Sequence, residues 1–197
     1  MTTSSIFEIN PLDLTKEIIF DCDDKDLNDF FSNDAKEYQK SLLAKTYLYV
    51  NNNEIFAMFS VSNDSVNLTD EIRTRDYPKS KQNLKTYPTV KIGRLGVSRL
   101  HQNKKIGSNI LAFLKIFFLV NNKTGCRYII VNAYNNTRAL RFYENNEMKY
   151  LTEKDKNKKT RIMYFDLLPY HNTIQKEEKF KRSIEEVKEL IKKSLNE

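Results

Sequence analysis

The sequence predicts a mixed α/β (α+β) fold, on three observations. Apolar residues at helical spacing alternate along the chain with short strand-like runs. One such run, RYIIVNAY at 127–134, has a continuous apolar centre, as a strand covered on both faces does. And 197 residues with 40% hydrophobic and 12% aromatic content suffice for one well-filled core.

The elements follow in order. Residues 23–44 read as a helix, because Leu27, Phe31, Ala35, Tyr38 and Leu42 recur on one face. Asp23 or Asp24 suits its N-cap, and Asp26 its first turn. Residues 46–50 and 54–62 read as a hairpin across Asn51-Asn52-Asn53. The polar stretch 63–88 carries Tyr77-Pro78 and Tyr87-Pro88, and reads as a loop or a broken short helix. TVKIGRLGV at 89–97 is the central strand. Residues 105–121 form a helix with Ile106, Ile110, Leu114 and Phe117 inward. After the strand at 127–134 come a helix at 136–146 and two closing strands, 148–153 and 161–167, across a Lys-rich turn. Beyond Pro169 the composition changes. Residues 174–197 alternate Lys and Glu blocks under a helical stripe of Phe180, Ile184, Val187, Ile191 and Leu195. The expected organisation is a domain at 1–168 and a C-terminal amphipathic helical extension at 169–197.

Composition narrows the class. No 18-residue apolar run marks a membrane span, and the opening MTTSSIFEINPLDLTKE lacks a secretion-signal layout. Two cysteines, Cys22 and Cys126, make neither a disulfide framework nor a metal cluster, and His101 and His171 lie far apart in sequence. The expectation is a cytoplasmic protein with no membrane contact and no metal.

Residues 92–108, IGRLGVSRLHQNKKIGS, hold three of the four glycines, Gly93, Gly96 and Gly107. In a glycine-poor chain this marks a place where backbone must come close to something. A helix opening after such a turn offers free N–H groups and the positive end of its dipole, a site for phosphate. The ligand this predicts is a phosphate-bearing cofactor.

Charge points to the same region. Between Tyr77 and Tyr143 there is no Asp or Glu, but thirteen Lys and Arg; the chain's net charge of +7 leaves −6 for everything outside that stretch. The stretch reads as a surface for polyanions, a nucleotide cofactor and a nucleic acid among them, against the plainer reading of solvated lysines.

Gln102-Asn103-Lys104-Lys105-Ile106-Gly107-Ser108 resembles the acetyl-CoA loop of GNAT-type N-acetyltransferases, Gln/Arg-x-x-Gly-x-Gly/Ala, with Lys105 where the family has its first Gly. Asn-Thr-Arg-Ala-Leu-Arg-Phe-Tyr at 136–143 resembles the family's Asn-x-x-Ala-x-x-Phe-Tyr segment. The N-terminal half is similar to the GNAT toxins of bacterial toxin–antitoxin systems: Phe20-Asp21-Cys22, Leu27-Asn28-x-Phe30-Phe31, Ala35, Thr46-Tyr47, and Gly93-Arg94-Leu95-Gly96-Val97 for that group's Gly-Arg-Leu-Ala-Val. The resemblance covers about residues 18–167. It implies a mixed, mostly antiparallel central sheet with helices on both faces, and acetyl-CoA as cofactor. It also implies transfer of acetyl to the α-amino group of aminoacyl-tRNA, a small antitoxin partner and a homodimer.

On that resemblance, Leu95, Gly96 and Val97 pair by backbone with the pantetheine arm, Gly96 leaving room for the thioester. Gln102, Asn103, Lys104, Lys105, Ile106, Gly107 and Ser108 present amides and charge to the pyrophosphate. Asn136 holds a cofactor amide or a water, caps the helix, or does both, and Phe142 packs. Tyr143 is the candidate acid, since a phenol with pKa near ~10 can protonate a departing thiolate; the alternative is a buried helix face. Lys79, Lys81, Lys85 and Arg94 are the candidate tRNA contacts. His101 is a base by type, but reads as exposed surface. With no carboxylate in the core motifs, an α-amino group, already partly neutral near pH 7, suits the site better than a lysine side chain of pKa near ~10.4. The competing functions are a GNAT enzyme for a small amine or a protein N-terminus, and a non-catalytic CoA- or RNA-binding regulator.

Overall fold

The computed structural model describes residues 7–120, 122 and 124–176. A single seven-stranded sheet, in the order β1-β2-β3-β4-β5-β7-β6, organises the fold. Its strands are β1 (Glu8–Pro11), β2 (Lys45–Asn51), β3 (Glu54–Val66), β4 (Tyr87–Val97), β5 (Tyr128–Tyr134), β6 (Lys149–Tyr150) and β7 (Thr160–Asp166). Every neighbouring pair is antiparallel except β4 and β5, which run parallel. Strand β1 lies in the opening that the sequence left unassigned.

The β2–β3 hairpin forms as expected, because Asn52 and Asn53 take positive φ of 49° and 64°, the geometry of a two-residue hairpin turn. The stretch expected as a loop at 63–88 is more ordered. Strand β3 continues to Val66, paired with Tyr87 at the start of β4, so exposed Asn63, Asp64 and Ser65 are strand residues. Between them α3 (Asp70–Asp76) is capped by Thr69, whose side chain accepts from the Ile72 amide, and a 3-10 turn spans Lys79–Lys81. Pro88 is tolerated as the second residue of β4, before pairing with β5 begins at Thr89.

The first predicted helix is three pieces: α1 (Lys25–Asp29), a π-helical turn (Phe30–Asp34) and α2 (Ala35–Lys40). Asp24 is the N-cap, accepting from the Leu27 amide at 3.0 Å. The wide π turn lets the adjacent Phe30 and Phe31 both turn inward. Helix ends at Lys40, so Leu42, at φ 57°, leaves the expected apolar face and is 92% exposed.

Helices cover both faces. On one side α4 (Ile106–Leu119), α5 (Thr137–Asn145) and the start of α6 (Leu167–Lys176) pack on Phe59, Val90, Ile92, Ile129 and Val131. On the other, the α1–α2 segment packs on Met58 through Phe20, Cys22, Phe30 and Phe31, and α3 packs on Tyr87, Tyr128 and Ile130. Helix α6 begins where the C-terminal extension was expected, and its Tyr170 packs edge-on against Phe165; residues 177–197, with the whole of the expected stripe, lie outside the described residues.

Two glycines of β4 behave differently. A Cβ on Gly96 would lie 3.1 Å from Cys22 Sγ and 3.2 Å from both Phe20 and Phe31, so this glycine lets the N-terminal segment lie down on the sheet. A Cβ on Gly93 would meet only the Ser60 carbonyl oxygen at 3.7 Å, an ordinary contact. Gly96→Ala should therefore cost about 1–3 kcal/mol of stability and Gly93→Ala within about 0.5 kcal/mol, read from urea unfolding midpoints of the two variants.

Candidate functional site

The site begins with a defect in the sheet. Opposite β3, Ser60 pairs with Arg94 and Val61 with Ile92, so Gly93 is an extra residue on β4, a β-bulge. A bulge bends its strand and increases the twist. The parallel pairing of β4 with β5 stops at Ile92–Val131, just before it. From there the strands part: β4 stays on β3 to Val97, and β5 stays on β7 to Tyr134. Two inner edges of the sheet are left without a partner strand among the described residues.

Alternation decides which groups line the gap. The Ser98 amide bonds the Phe56 carbonyl at 2.9 Å, on the β3 side. Counting back, Gly96 directs its backbone groups to β3, and Leu95 and Val97 direct theirs to the gap. The expected backbone contacts to a strand-like amide arm therefore fall to Leu95 and Val97. Gly96 is corrected on two counts: its edge is used by β3, and the room beside its Cα is filled by Phe20, Cys22 and Phe31.

The glycine-rich stretch then turns into α4. Lys105 is the N-cap, at φ 60° and ψ 11°, and gives no side-chain cap, so the first amides of α4 have no capping acceptor among the described residues. Asn103 is also left-handed, at φ 62°. The loop thus follows a path that favours glycine at 105, with a lysine accepting the left-handed conformation. Gln102 fastens it: Nε2 donates to the Cys22 carbonyl at 2.8 Å and the Val97 carbonyl at 3.3 Å, and Oε1 accepts from Arg138 of α5 at 2.8 Å. Gly107 is buried under α5, where a Cβ would come 3.0 Å from the Phe142 ring. Its first duty is packing, and a large residue there would displace α5 along with any ligand.

The acid-free stretch looks different in space. Lys91 pairs with Asp64, Arg94 with Asp26, Arg99 with Asp21, Arg127 with Asp166 and Lys115 with Glu147, all acids from outside it. Lys115 is no surface cation: it is buried, bonds the Asn146 carbonyl at 2.9 Å, and sits over the Phe165 ring at 3.9 Å. Lys104, Lys105, Arg138 and Arg141 make no ion pair with a described residue; Lys104 and Lys105 stand just before α4, Arg138 in the first turn of α5 and Arg141 in its second. Lys79, Lys81 and Lys85 are exposed beside Tyr87, at the other end of β4 from the loop, roughly 30 Å away at about 3.3 Å per residue. The structure does not bring them to the gap.

Tyr143, on α5, packs in the same cluster as Leu95, Val97 and Phe142. Its hydroxyl bonds no described residue, and burial pushes the phenol's pKa up, so it stays protonated. Asn136 caps α5, its Oδ1 accepting from the Ala139 amide at 2.9 Å. His101 is not open surface: its ring stacks on Phe56 at 3.8 Å, and Nε2 lies 2.7 Å from Glu54 Oε1.

One group here has no warning in the sequence. Asp26 of α1 reaches the gap from the far side of the sheet, where its Oδ2 accepts from the Tyr134 hydroxyl at 2.8 Å and lies 3.9 Å from Arg94 Nε. Burial, and then the Asp26 carboxylate, push the Tyr134 pKa up to about 12. Asp26 lies 68 residues before Arg94 in the chain, and its position depends on the packing that Gly96 allows, so no local spacing signals it.

These residues fit acetyl-CoA. Two strand edges that no described strand pairs with can take an amide-bearing arm, and a helix start with no side-chain cap, beside cations without an ion pair among the described residues, can take its phosphates. Lys105→Gly should leave the fold at least as stable, since glycine removes a left-handed cost of roughly 1 kcal/mol. It should still weaken CoA binding and flatten its salt dependence, because one cation is lost. Thermal melting and calorimetry at two ionic strengths check both halves.

Comparison with known proteins agrees with this geometry. No curated protein matches the chain in sequence. Solved structures do match it in fold: AtaT complexed with acetyl-methionyl-tRNAfMet has a TM-score of 0.69 at 19% identity, over 85% of this chain and 99% of that one. A Tyr-to-Phe variant of KacT has a TM-score of 0.69 at 16% identity, over 85% and 98%. A Tyr-to-Phe variant of the AtaT toxin, bound to the C-terminus of the antitoxin AtaR and to acetyl-CoA, has a TM-score of 0.64 at 17% identity, over 83% and 95%. The model of the Acetyltransferase (GNAT) family matches residues 12–148. With that match over most of the chain, the protein belongs to the GNAT family and is an acetyl-CoA-dependent N-acetyltransferase.

Proposed function

We propose that the chain acetylates the α-amino group of aminoacyl-tRNA and acts as a translation-blocking toxin. The observation that carries the acyl transfer is the parting of β4 from β5 beside the uncapped, cationic start of α4. The fold shared with AtaT, whose structure holds acetyl-methionyl-tRNAfMet, supports the acceptor. A small antitoxin partner and a homodimer belong to the same proposal; the binding of AtaT to the antitoxin AtaR supports the first.

Bound acetyl-CoA supplies an activated acetyl thioester. The chain's residues do the rest. The amides of residues 106–108, with Lys104 and Lys105, hold the phosphates, and the Leu95 and Val97 edges align the arm. An α-amino group, with pKa near ~8, loses its first proton to water. As its nitrogen bonds the acetyl carbon and the carbon–sulfur bond breaks, Tyr143 gives its phenolic proton to the departing sulfur and recovers one from the acylated nitrogen. A phenol kept protonated by burial suits that task.

A second reading has its own observation. Asp21, Asp23, Asp24 and Asp29, with Lys25 as the one cation, line a groove of about 530 Å³ along α1. Such a face favours a cationic acceptor, a small amine or a protein N-terminus, over a polyanion.

The decisive experiment incubates the protein and labelled acetyl-CoA with aminoacylated total tRNA, and separately with amino-acid amides and N-terminal peptides, followed by mass analysis. Label on aminoacyl-tRNA is the expected result; label confined to small acceptors would establish the second reading. Tyr143→Phe should lower turnover by roughly 10²–10⁴ with CoA affinity unchanged. Near-full turnover, with chemistry rate-limiting, would remove Tyr143 from the mechanism.

A further inference from the structure

We propose that Asp26, Tyr134 and Arg94 form a seat for an α-aminoacyl group at the α1-side mouth of the gap, with Asp26 taking the amino group and Arg94 the neighbouring carbonyl oxygen. The proposal rests on the acceptor being a primary amine, and holds for an aminoacyl ester and a protein N-terminus alike. It excludes a simple alkyl amine as the preferred acceptor.

The argument begins with which face each strand presents. Tyr128 and Ile130 of β5 pack on the α3 side of the sheet, and by alternation Asn132 and Tyr134 share that face. There, past the last rung with β4, both are exposed. Beyond the Gly93 bulge, Leu95 and Val97 belong to the α4-side cluster with Tyr143. Arg94 lies on the opposite face, over the Phe30 ring at 4.9 Å. The two banks of the gap thus carry a guanidinium and a phenol on the α1 side, and the candidate acid packs on the other. An acceptor entering from the α1 side would meet the thioester from across the sheet, with the leaving sulfur's proton donor behind it.

Asp26 joins the two banks. Its Oδ2 accepts from Tyr134, which fixes the carboxylate, while Oδ1 bonds no described residue and the side chain is 63% exposed. An ammonium or amine is the group that an open, oriented carboxylate oxygen binds. Arg94 is held by its Phe30 stacking and by Nη1 donating to the Gly93 carbonyl at 3.0 Å. Its buried Nε has no hydrogen-bond partner among the described residues, and 3.9 Å is too long for Asp26 to supply one. A carboxylate and a guanidinium with donors to spare, side by side, match the two adjacent polar groups of an α-amino acyl unit.

Alaninamide, lactamide and propylamine test this directly. Lactamide replaces the amino group by a hydroxyl, and propylamine lacks the carbonyl. Binding to the CoA-loaded protein is read by ligand-observed NMR, which needs no turnover, and KM is read for the two amines. The native chain should bind alaninamide in preference to both analogues. Asp26→Asn should weaken alaninamide binding about 10–100-fold and abolish its preference over lactamide. Arg94→Met should abolish the preference over propylamine. CoA affinity should stay unchanged in both. Should Asp26→Asn fail to fold, Tyr134→Phe, at a residue 43% exposed, should weaken alaninamide several-fold. No preference in the native chain, or native preferences in folded Asp26→Asn, would overturn the seat. Failure to acetylate aminoacyl-tRNA with the alaninamide preference intact would overturn the tRNA reading and leave the seat standing.

Discussion

One extra residue in β4 sets the conditions for the rest of the site. Without the Gly93 bulge, β4 and β5 would go on pairing, and the sheet would be closed where the site now opens. The bulge turns the last third of β4 away from β5 and also decides, by parity, which side chains face α4 and which face α1. The gap, the helix that starts above it and the carboxylate that reaches it from below all follow from that displacement.

Packing supplies what the bulge cannot. Gly96 lets Phe20, Cys22 and Phe31 settle on β4, and the π turn turns Phe30 and Phe31 inward together. Gly107 does the same for Phe142 of α5 on the other face. Gln102 then binds four segments with one amide: the stretch before α1, the end of β4, the loop and α5. Lys115 closes the far end of α5 by capping carbonyl oxygen with a buried cation, where a positive charge also suits the helix dipole. The two helices that flank the gap are held at both ends.

Much of this was legible in the chain. The helices at 106–119 and 137–145 and the strands at 87–97 and 128–134 were placed within a few residues, the first helix by its apolar spacing and β5 by its continuous apolar centre. The glycine cluster marked the loop, since left-handed and close-packed backbone limits residue choice. Other features were hidden for identifiable reasons. Strand β3 runs into Asn63, Asp64 and Ser65, whose polarity suits a solvent-facing strand end as well as a loop. The helix ends at Lys40, so a stripe drawn at regular spacing carried Leu42 onto a face it leaves. The acid-free stretch was true of the sequence and misleading about the surface, because ion pairs join residues distant in the chain. Asp26 illustrates the limit: an N-terminal helix residue becomes a site residue only through tertiary packing.

The parted strands have a consequence for how the molecule holds together. Strands β1 to β4 form one ribbon and β5 to β7 another, and only the four rungs from Thr89 to Ile92 stitch them within the sheet. A ligand whose amides bridge Leu95 and Val97 to the opposite bank would add the missing rungs. Cofactor would then be a structural member as well as a reagent, and at a hundredfold excess over its dissociation constant it would raise stability by about 2.7 kcal/mol. The empty enzyme would be two ribbons joined within the sheet by four rungs, and the loaded one a continuous sheet.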